Sequence, residues 1–437
     1  MINKEKIEDL YTRWVKGNYA YTTDSRRVEK GDIYFALKGE RFDGNDYALM
    51  ALEKGAEAVV VDDDVRYKDA HNVILVDDVL KTLQCMATMH REKMGIPILS
   101  LTGSNGKTTS KELISRVLAC KFNVCATRGN LNNHIGVPFT LLSLRPHHEF
   151  AVVEMGASHP GEIAELSQIA RPNYAYITNF GRAHLEGFGG VEGVIRTKSE
   201  LYDYVRATSG VAFVNADDAV QMEKSEGISR FTFSSTSIPA DVTLKMLTSL
   251  PQVTGMIEDE AFSTHLSGEY NFTNAAAAAS IGVYFGIDKK DIANAIYSYV
   301  PDNNRSQWIE RGAHSVMCDA YNANPTSMTL SVKNFANADI NSLPKIAVLG
   351  DMFELGEYAE SEHQSIVDMV AGLPFEKVYV VGENFNSTTT MGDKVEKYPT
   401  FEAFAVAFVE PTTPHAFLVK GSRGMAMERF LELLDKH

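Results

Sequence analysis

The run Gly103-Ser104-Asn105-Gly106-Lys107-Thr108-Thr109 follows the apolar stretch ILSLT (98–102) and opens into a helical pattern. Glycines there let the backbone turn and bring its N–H groups close to phosphate oxygens, and a helix N-terminus adds the positive end of its dipole. Lys107 suits the β and γ phosphates of a nucleotide, and the Thr108 hydroxyl suits Mg²⁺. The run therefore predicts an ATP site at 102–109. The usual pattern places four residues between its two glycines; here Leu101 holds the first-glycine position and two residues separate Gly103 from Gly106. Such a loop serves kinases, GTPases and ligases alike, and a Gly-rich turn with a chance Lys-Thr is the plain alternative.

Two further groups fall where parallel strands deliver chemistry. The apolar run FAVVEMGAS (150–158) carries Glu154, and YAYITNF (174–180) leads into Gly-Arg-Ala-His, ending on His184. A carboxylate and an imidazole at these strand ends suit the Mg²⁺ that bridges ATP phosphates. Mg²⁺ prefers oxygen, so a surface His and an ion-paired Glu fit the same residues. Lys198 reads alone as a solvated lysine on a helix. Asn271 and Asn274 share a helix face, though helix capping accounts for one of them equally well.

These groups need strands to hold them. Residues 24–61 read as strand, Gly-containing turn, helix (Tyr47, Leu49, Met50 and Leu52 at helical spacing) and strand; NVILVDD (72–78) and a helix leading to Gly95 follow. After Gly95-Ile96-Pro97 the strand–loop–helix pattern restarts, with continuously apolar strands at 150–156, 174–180 and 210–218, as in a parallel sheet covered on both faces. Residues 219–268 alternate polar and apolar positions and read as an antiparallel edge. After Val300-Pro301, KIAVLGD, KVYVVGE and HAFLVKGS give three more buried strands, and MAMERFLELLD gives a closing helix. The expected class is α/β with three domains: a small N-terminal α/β domain (1–96), a central P-loop ATPase-type domain with a doubly wound, mainly parallel sheet (97–300), and a C-terminal Rossmann-like domain (301–437).

The chain has 437 residues, 42 Lys plus Arg and 57 Asp plus Glu, for a net charge of −15. That acidity argues against nucleic acid or anionic membrane as a partner. Four cysteines without zinc-knuckle spacing read as buried free thiols. The N-terminal MINKEKIEDLYTRW lacks a signal-peptide core, and no stretch approaches a membrane span. A cytoplasmic location is expected, and a monomer.

Eight strings resemble the Mur ligase family in family order: TGSNGKTTSKE, GNLNNHIGVP, VVEMGASHPGEI, ITNFGRAHLEGFG, TKSELY, DAYNANPTSM, VLGDMFELG and VKGSRGMAME. The resemblance covers essentially the whole chain. It implies an ATP-dependent ligase that joins D-alanyl-D-alanine to a UDP-N-acetylmuramoyl-tripeptide through an acyl phosphate, with ATP and two Mg²⁺ as expected cofactors. By the same resemblance Lys107 and Thr108 hold phosphate and metal, and Glu154 and His184 are metal ligands. Lys198 matches a lysine that is carbamylated in several members and then resembles a carboxylate beside the metal. The adenine is expected at Asn271 and Asn274, the ribose at Asp319, and Arg305 is expected to reach the phosphates. Ser25, Arg26, Lys38, Gly39, Arg41, Asp43 and Gly44 are expected to face the UDP-sugar. Asn132, Asn133, Tyr321, Asn322 and Asn324 are expected to border the substrates. Asn304 before Arg305 and Ala320 after Asp319 depart from the family pattern. Two rivals share the loop: an amide ligase for another acceptor, such as a folate-type polyglutamate synthetase, and a nucleotide switch without ligase chemistry.

Overall fold

The computed structural model describes residues 4–67, 71–301, 305–390 and 392–434; Asn304 lies outside them. Three sheets carry the fold. The first is four-stranded and parallel, in the order Tyr21–Thr22, Ile33–Phe35, Ala58–Val61, Val73–Leu75. The short helix Ala48–Glu53 lies against it through Ala48 and Ala51. Tyr47 and Leu49, expected to form its apolar face, are exposed: the small residues let the helix sit close to the sheet, and the large ones point outward. The helix Val79–Met94 ends on Gly95 in the left-handed conformation, and its apolar face shares one core with Trp14 on one side and with Leu141, Val153 and Leu201 on the other.

The central sheet has nine strands. From Val124–Ala126 through Phe150–Glu154, Ile98–Thr102, Tyr174–Ile177, Val211–Asn215 and Ser229–Ser234 to Val242–Thr248 every neighbour is parallel. Val242–Thr248 also pairs antiparallel with Thr254–Ile257, and Thr254–Ile257 with Glu260–Ser263, so this end of the sheet is a three-stranded antiparallel meander. The expected antiparallel edge is thus present from Val242 onward, while Ser229–Ser234 extends the parallel sheet. The helix Glu269–Tyr284 buries Ala275 to Ala279 and packs on the helix Lys107–Ala119. The alanine run allows that close approach.

The third sheet has six strands, in the order Gln307–Arg311, His314–Asp319, Ala416–Lys420, Lys345–Gly350, Lys377–Val381, Val395–Tyr398, and only the first pairing is antiparallel. The closing segment Met427–Leu433 is a 3₁₀ helix rather than an α-helix. Met427 and Phe430 are its buried residues, three apart, and side chains three apart eclipse on a 3₁₀ helix. Of the four thiols, only Cys125 and Cys318 are buried; Cys120 is exposed and Cys85 half-buried. No helix among the described residues is long and apolar enough to cross a membrane.

Candidate active site

Strand Ile98–Thr102 lies between Phe150–Glu154 and Tyr174–Ile177, with Leu101 opposite Glu154 and Thr102 opposite Ile177. The phosphate-loop sequence therefore leaves the sheet between the ends of the two strands that carry the candidate metal groups. Gly103 (φ +148°) and Gly106 (φ +78°) take backbone conformations that favour glycine. A Cβ at Gly103 would strike the Thr178 hydroxyl, and one at Gly106 would strike Asn274 Oδ1. The loop is held from the Tyr174–Ile177 side. Ser104 Oγ donates to the Gly181 carbonyl (2.5 Å), Thr178 Oγ1 to the Asn105 carbonyl (2.5 Å), and Asn105 N–H to Asn179 Oδ1 (3.2 Å). Lys107 begins the helix and donates from Nζ to the Gly103 carbonyl (2.6 Å). Burial pushes its pKa down, Glu154 pulls it back up and Arg305 adds to the depression.

Glu154 forms the adjoining corner. Its Oε1 accepts from Asn132 Nδ2 (2.8 Å) and from the Thr108 hydroxyl (3.3 Å). Its Oε2 is buried and has no hydrogen-bond partner among the described residues. An orphaned buried carboxylate oxygen beside a hydroxyl and an amide is a donor set that suits a hard cation. Among the described residues no three His, Cys, Asp or Glu side chains gather as a metal site. Lys198 is 1% exposed, which rules out the solvated-lysine reading, and its Nζ lies over the Phe188 ring at 5.4 Å. Burial drives its pKa well below the usual lysine value, and Lys107 adds to this. His184 sits at the N-cap of the helix Leu185–Phe188 with φ +52°. Its Nδ1 pairs with the carboxylate of Glu354, whose own pKa is lowered first by that partner.

The opposite wall comes from the helix Glu269–Tyr284 and the third sheet. Asn271 Nδ2 donates to the Ser267 carbonyl (2.8 Å), Asn274 Nδ2 to Asn271 Oδ1 (2.9 Å), and Ser110 Oγ to Asn274 Oδ1 (3.0 Å). Neither asparagine caps the helix, whose N-cap is Gly268. Asp319 accepts from Ser306 N–H (3.1 Å) and Lys420 Nζ (2.6 Å). The Arg305 guanidinium stacks 3.5 Å from the Tyr321 ring centroid. Asn322 gives its carbonyl to Lys420 Nζ (3.2 Å), and Asn324 Nδ2 donates to Asn105 Oδ1 (2.7 Å). Asn133 accepts from Gly136 N–H (2.9 Å) and fixes the turn into the helix Gly136–Leu142. A cavity of about 830 Å³ is lined by Ser104 to Thr109, Asn132, Asn133, Glu154, His184, Asn271, Asn274, Arg305, Asp319, Tyr321, Asn322 and Asn324.

Three family descriptions match the chain: "Mur ligase family, catalytic domain" over residues 19–91, "Mur ligase middle domain" over 101–282, and "Mur ligase, glutamate ligase domain" over 304–423. The UDP-N-acetylmuramoyl-tripeptide–D-alanyl-D-alanine ligase of Bacillus subtilis is 32% identical, over 95% of this chain and 92% of its own length. The chain belongs to the Mur ligase family. The ligase of the same name from Escherichia coli is also 32% identical, over 96% and 94%. Among solved structures, MurF from Acinetobacter baumannii superposes with TM-score 0.86 at 32% identity, over 96% of this chain and 94% of that one. MurF ligase from Thermotoga maritima in complex with ADP gives 0.83 at 28% identity, over 95% and 97%.

In this Mur ligase the N-terminal candidates stand apart from the cavity, whose lining includes none of them. Arg26 forks onto Asp24 (2.8 and 2.9 Å), and the Ser25 carbonyl accepts from Lys54 Nζ (2.8 Å). Lys38 pairs with Asp62 (2.8 Å), Asp43 caps Asn45 N–H (2.9 Å), and Gly44 gives its carbonyl to the Tyr34 hydroxyl (3.0 Å). Gly39 and Arg41 are exposed in and beside the small hairpin Lys38–Gly39/Phe42–Asp43. Lys198 also stops short of the cavity surface. Sequence reasoning passed over three residues: Glu354, Lys420 and Arg182. All three lie inside family strings, and only their partners reveal what they do.

Proposed function

We propose that this chain is the ATP-dependent ligase that adds D-alanyl-D-alanine to UDP-N-acetylmuramoyl-tripeptide in peptidoglycan precursor synthesis, releasing ADP and phosphate. The observation that carries the reading is the full-length similarity to ligases of that name, on a fold whose phosphate loop faces Arg305 and Asn324 across one cavity. The terminal carboxylate of the tripeptide attacks the γ-phosphorus of ATP, giving an acyl phosphate and ADP. The amine of D-alanyl-D-alanine then attacks the acyl carbon, loses a proton, and the C–O bond to phosphate breaks. Most of the catalysis is positioning and charge stabilisation.

Lys107 and the N–H groups of Gly103 to Thr109 hold the phosphates, and Arg305 approaches them from the third sheet. Asn271 and Asn274 face the adenine and Asp319 the ribose. Thr108, Glu154, His184 and a carbamylated Lys198 would hold Mg²⁺, two ions in all. Bound there, the metal supplies Lewis-acid stabilisation of charge on the phosphoryl oxygens. The depressed Lys198 pKa supports carbamylation, because the neutral amine is the form that reacts with CO₂. Asn132 and Asn133 border the acyl donor, and Tyr321, Asn322 and Asn324 the dipeptide. Ser25, Arg26, Lys38, Gly39, Arg41, Asp43 and Gly44 grip the UDP end. Docking of residues 301–437 onto 97–300 keeps water from the acyl phosphate. The proposed working unit is a monomer. ATP and a UDP-linked precursor as substrates support a cytoplasmic location.

The test is phosphate release with ATP, UDP-N-acetylmuramoyl-tripeptide and D-alanyl-D-alanine, compared with single amino acids as the amine. Release requiring all three substrates is expected. Release no greater than with ATP alone, or equal rates with a single amino acid, would overturn the assignment.

A further inference from the structure

The segment 351–356, between strand Lys345–Gly350 and the turn that opens helix Ala359–Ala371, is pinned almost atom by atom. The Asp351 carboxylate accepts from the N–H groups of Asn384 and Phe385 (2.9 Å each), and its carbonyl accepts from Ser422 N–H (3.0 Å). Met352 N–H donates to His363 Nε2 (3.0 Å) and Phe353 N–H to Ser422 Oγ (2.9 Å). Glu354 comes next, with φ +61°, a left-handed conformation that is uncommon for a glutamate. Its carbonyl accepts from Glu186 N–H (3.3 Å), and its carboxylate meets His184 Nδ1. That nitrogen forms no regular hydrogen bond among the described residues, and the Glu354 carboxylate is the acidic group beside it. His184 is itself left-handed, at φ +52°. Two residues with left-handed backbone, one from a loop of each sheet, thus meet through their side chains in the cavity lining. Below them Leu185 and Phe188 enter the same core as Met352 and Leu355.

We propose that Glu354 is a positioning residue that orients His184 across the domain boundary, so that the histidine is set for the phosphate side of the cavity only when the C-terminal sheet is docked. A neutral imidazole carries one N–H. A carboxylate on Nδ1–H leaves the Nε2 lone pair free for a ligand and fixes the ring plane, the arrangement typical of metal-binding histidines. Completion of the metal side of the site is thereby linked to closure. The inference rests on the reading of His184 as a metal-side residue. Docking does not depend on this pair: Arg182 Nη1 donates to Glu362 Oε1 (2.8 Å) and Arg182 N–H to Thr326 Oγ1 (2.8 Å).

The experiment uses the full chain and the variants Glu354→Ala, Glu354→Gln and His184→Asn. Nitrogen-15 spectra of the histidine rings without ligands, with His184 assigned by its loss in His184→Asn, are expected to show the Nδ1–H tautomer in the parent and a tautomer mixture in Glu354→Ala. The Mg²⁺ concentration for half-maximal phosphate release is expected to rise about 10- to 100-fold in Glu354→Ala. Glu354→Gln, which keeps a hydrogen-bond acceptor, should rise less while melting at the parent temperature. An unchanged His184 tautomer, or an unchanged Mg²⁺ requirement in both Glu354 variants, overturns the proposal. If His184→Asn leaves the Mg²⁺ requirement unchanged, the metal reading of His184 fails, and the tautomer result alone decides whether Glu354 orients the ring.

Discussion

Asn324 Nδ2 donates to Asn105 Oδ1 at 2.7 Å, which ties the N-cap of the helix Pro325–Asn337 to the phosphate loop. The same side chain accepts from Ser327 N–H at 2.9 Å, completing a capping box. One residue thus holds a helix start and reaches across to the nucleotide loop.

Asn324→Asp keeps the cap and loses the donor, so it is expected to melt near the parent temperature. Its kcat/KM for ATP should fall about tenfold, the equivalent of one net hydrogen bond. Asn324→Ala loses both and should unfold with about 1 kcal/mol less stability as well. Thermal melts and steady-state kinetics separate the two; parent kinetics in Asn324→Asp would show that the bond has no part in nucleotide binding.

Gly106→Ala places a Cβ on a left-handed residue and against Asn274 Oδ1. A cost of about 1–2 kcal/mol in stability is expected, with loss of measurable ADP binding by calorimetry. Binding at parent affinity would mean that Asn274 can move aside without reshaping the loop.

Lys198→Ala is expected to lower phosphate release on the order of 10²- to 10³-fold, the scale for removing one preorganised charge-stabilising group. Added acetate should restore part of the rate by standing in for the carbamate. A variant of undiminished activity, with or without acetate, would sink the assignment.

His90 sets a pH dependence away from the active site. It is fully buried, with Tyr11 Oη at 2.9 Å from Nδ1 and the Leu144 carbonyl at 3.1 Å from Nε2. Burial pushes its pKa below 6.5. The unfolded chain therefore takes up a proton as pH falls through 6.5 while the folded chain does not, and stability present above that pH is lost below it. His90→Gln should flatten the fall in stability below pH 6.5, by up to about 1.4 kcal/mol per pH unit. Urea unfolding at pH 7 and pH 5 gives the comparison; equal slopes in parent and variant would place the proton uptake elsewhere.

The phosphate loop was legible because its signal is local. An apolar strand, glycines at the turn and Lys-Thr at a helix start all lie within a dozen residues, and each type is demanded by backbone geometry or charge. The parallel strands of the central and C-terminal sheets were legible for a similar reason, as continuous apolar runs buried on both faces. Strands Gln307–Arg311 and Val395–Tyr398 went unseen because edge strands carry polar residues that mimic loops, and the buried His314–Asp319 went unseen because its apolar run, Val316 to Cys318, is so short. The closing 3₁₀ helix read as an α-helix because MAMERFLELLD supplies apolar residues at spacings that suit both.

The sequence alone determined the loop chemistry, the parallel-sheet class and membership of a ligase family, all of which rest on residue types at short spacing or in fixed order. Tertiary structure alone decided that Lys198 is buried with a depressed pKa, that Glu354 faces His184, and that Asn105 finds its partner 219 positions away. Burial and pairing are properties of space between elements, and a chain reveals them only once its sheets have packed.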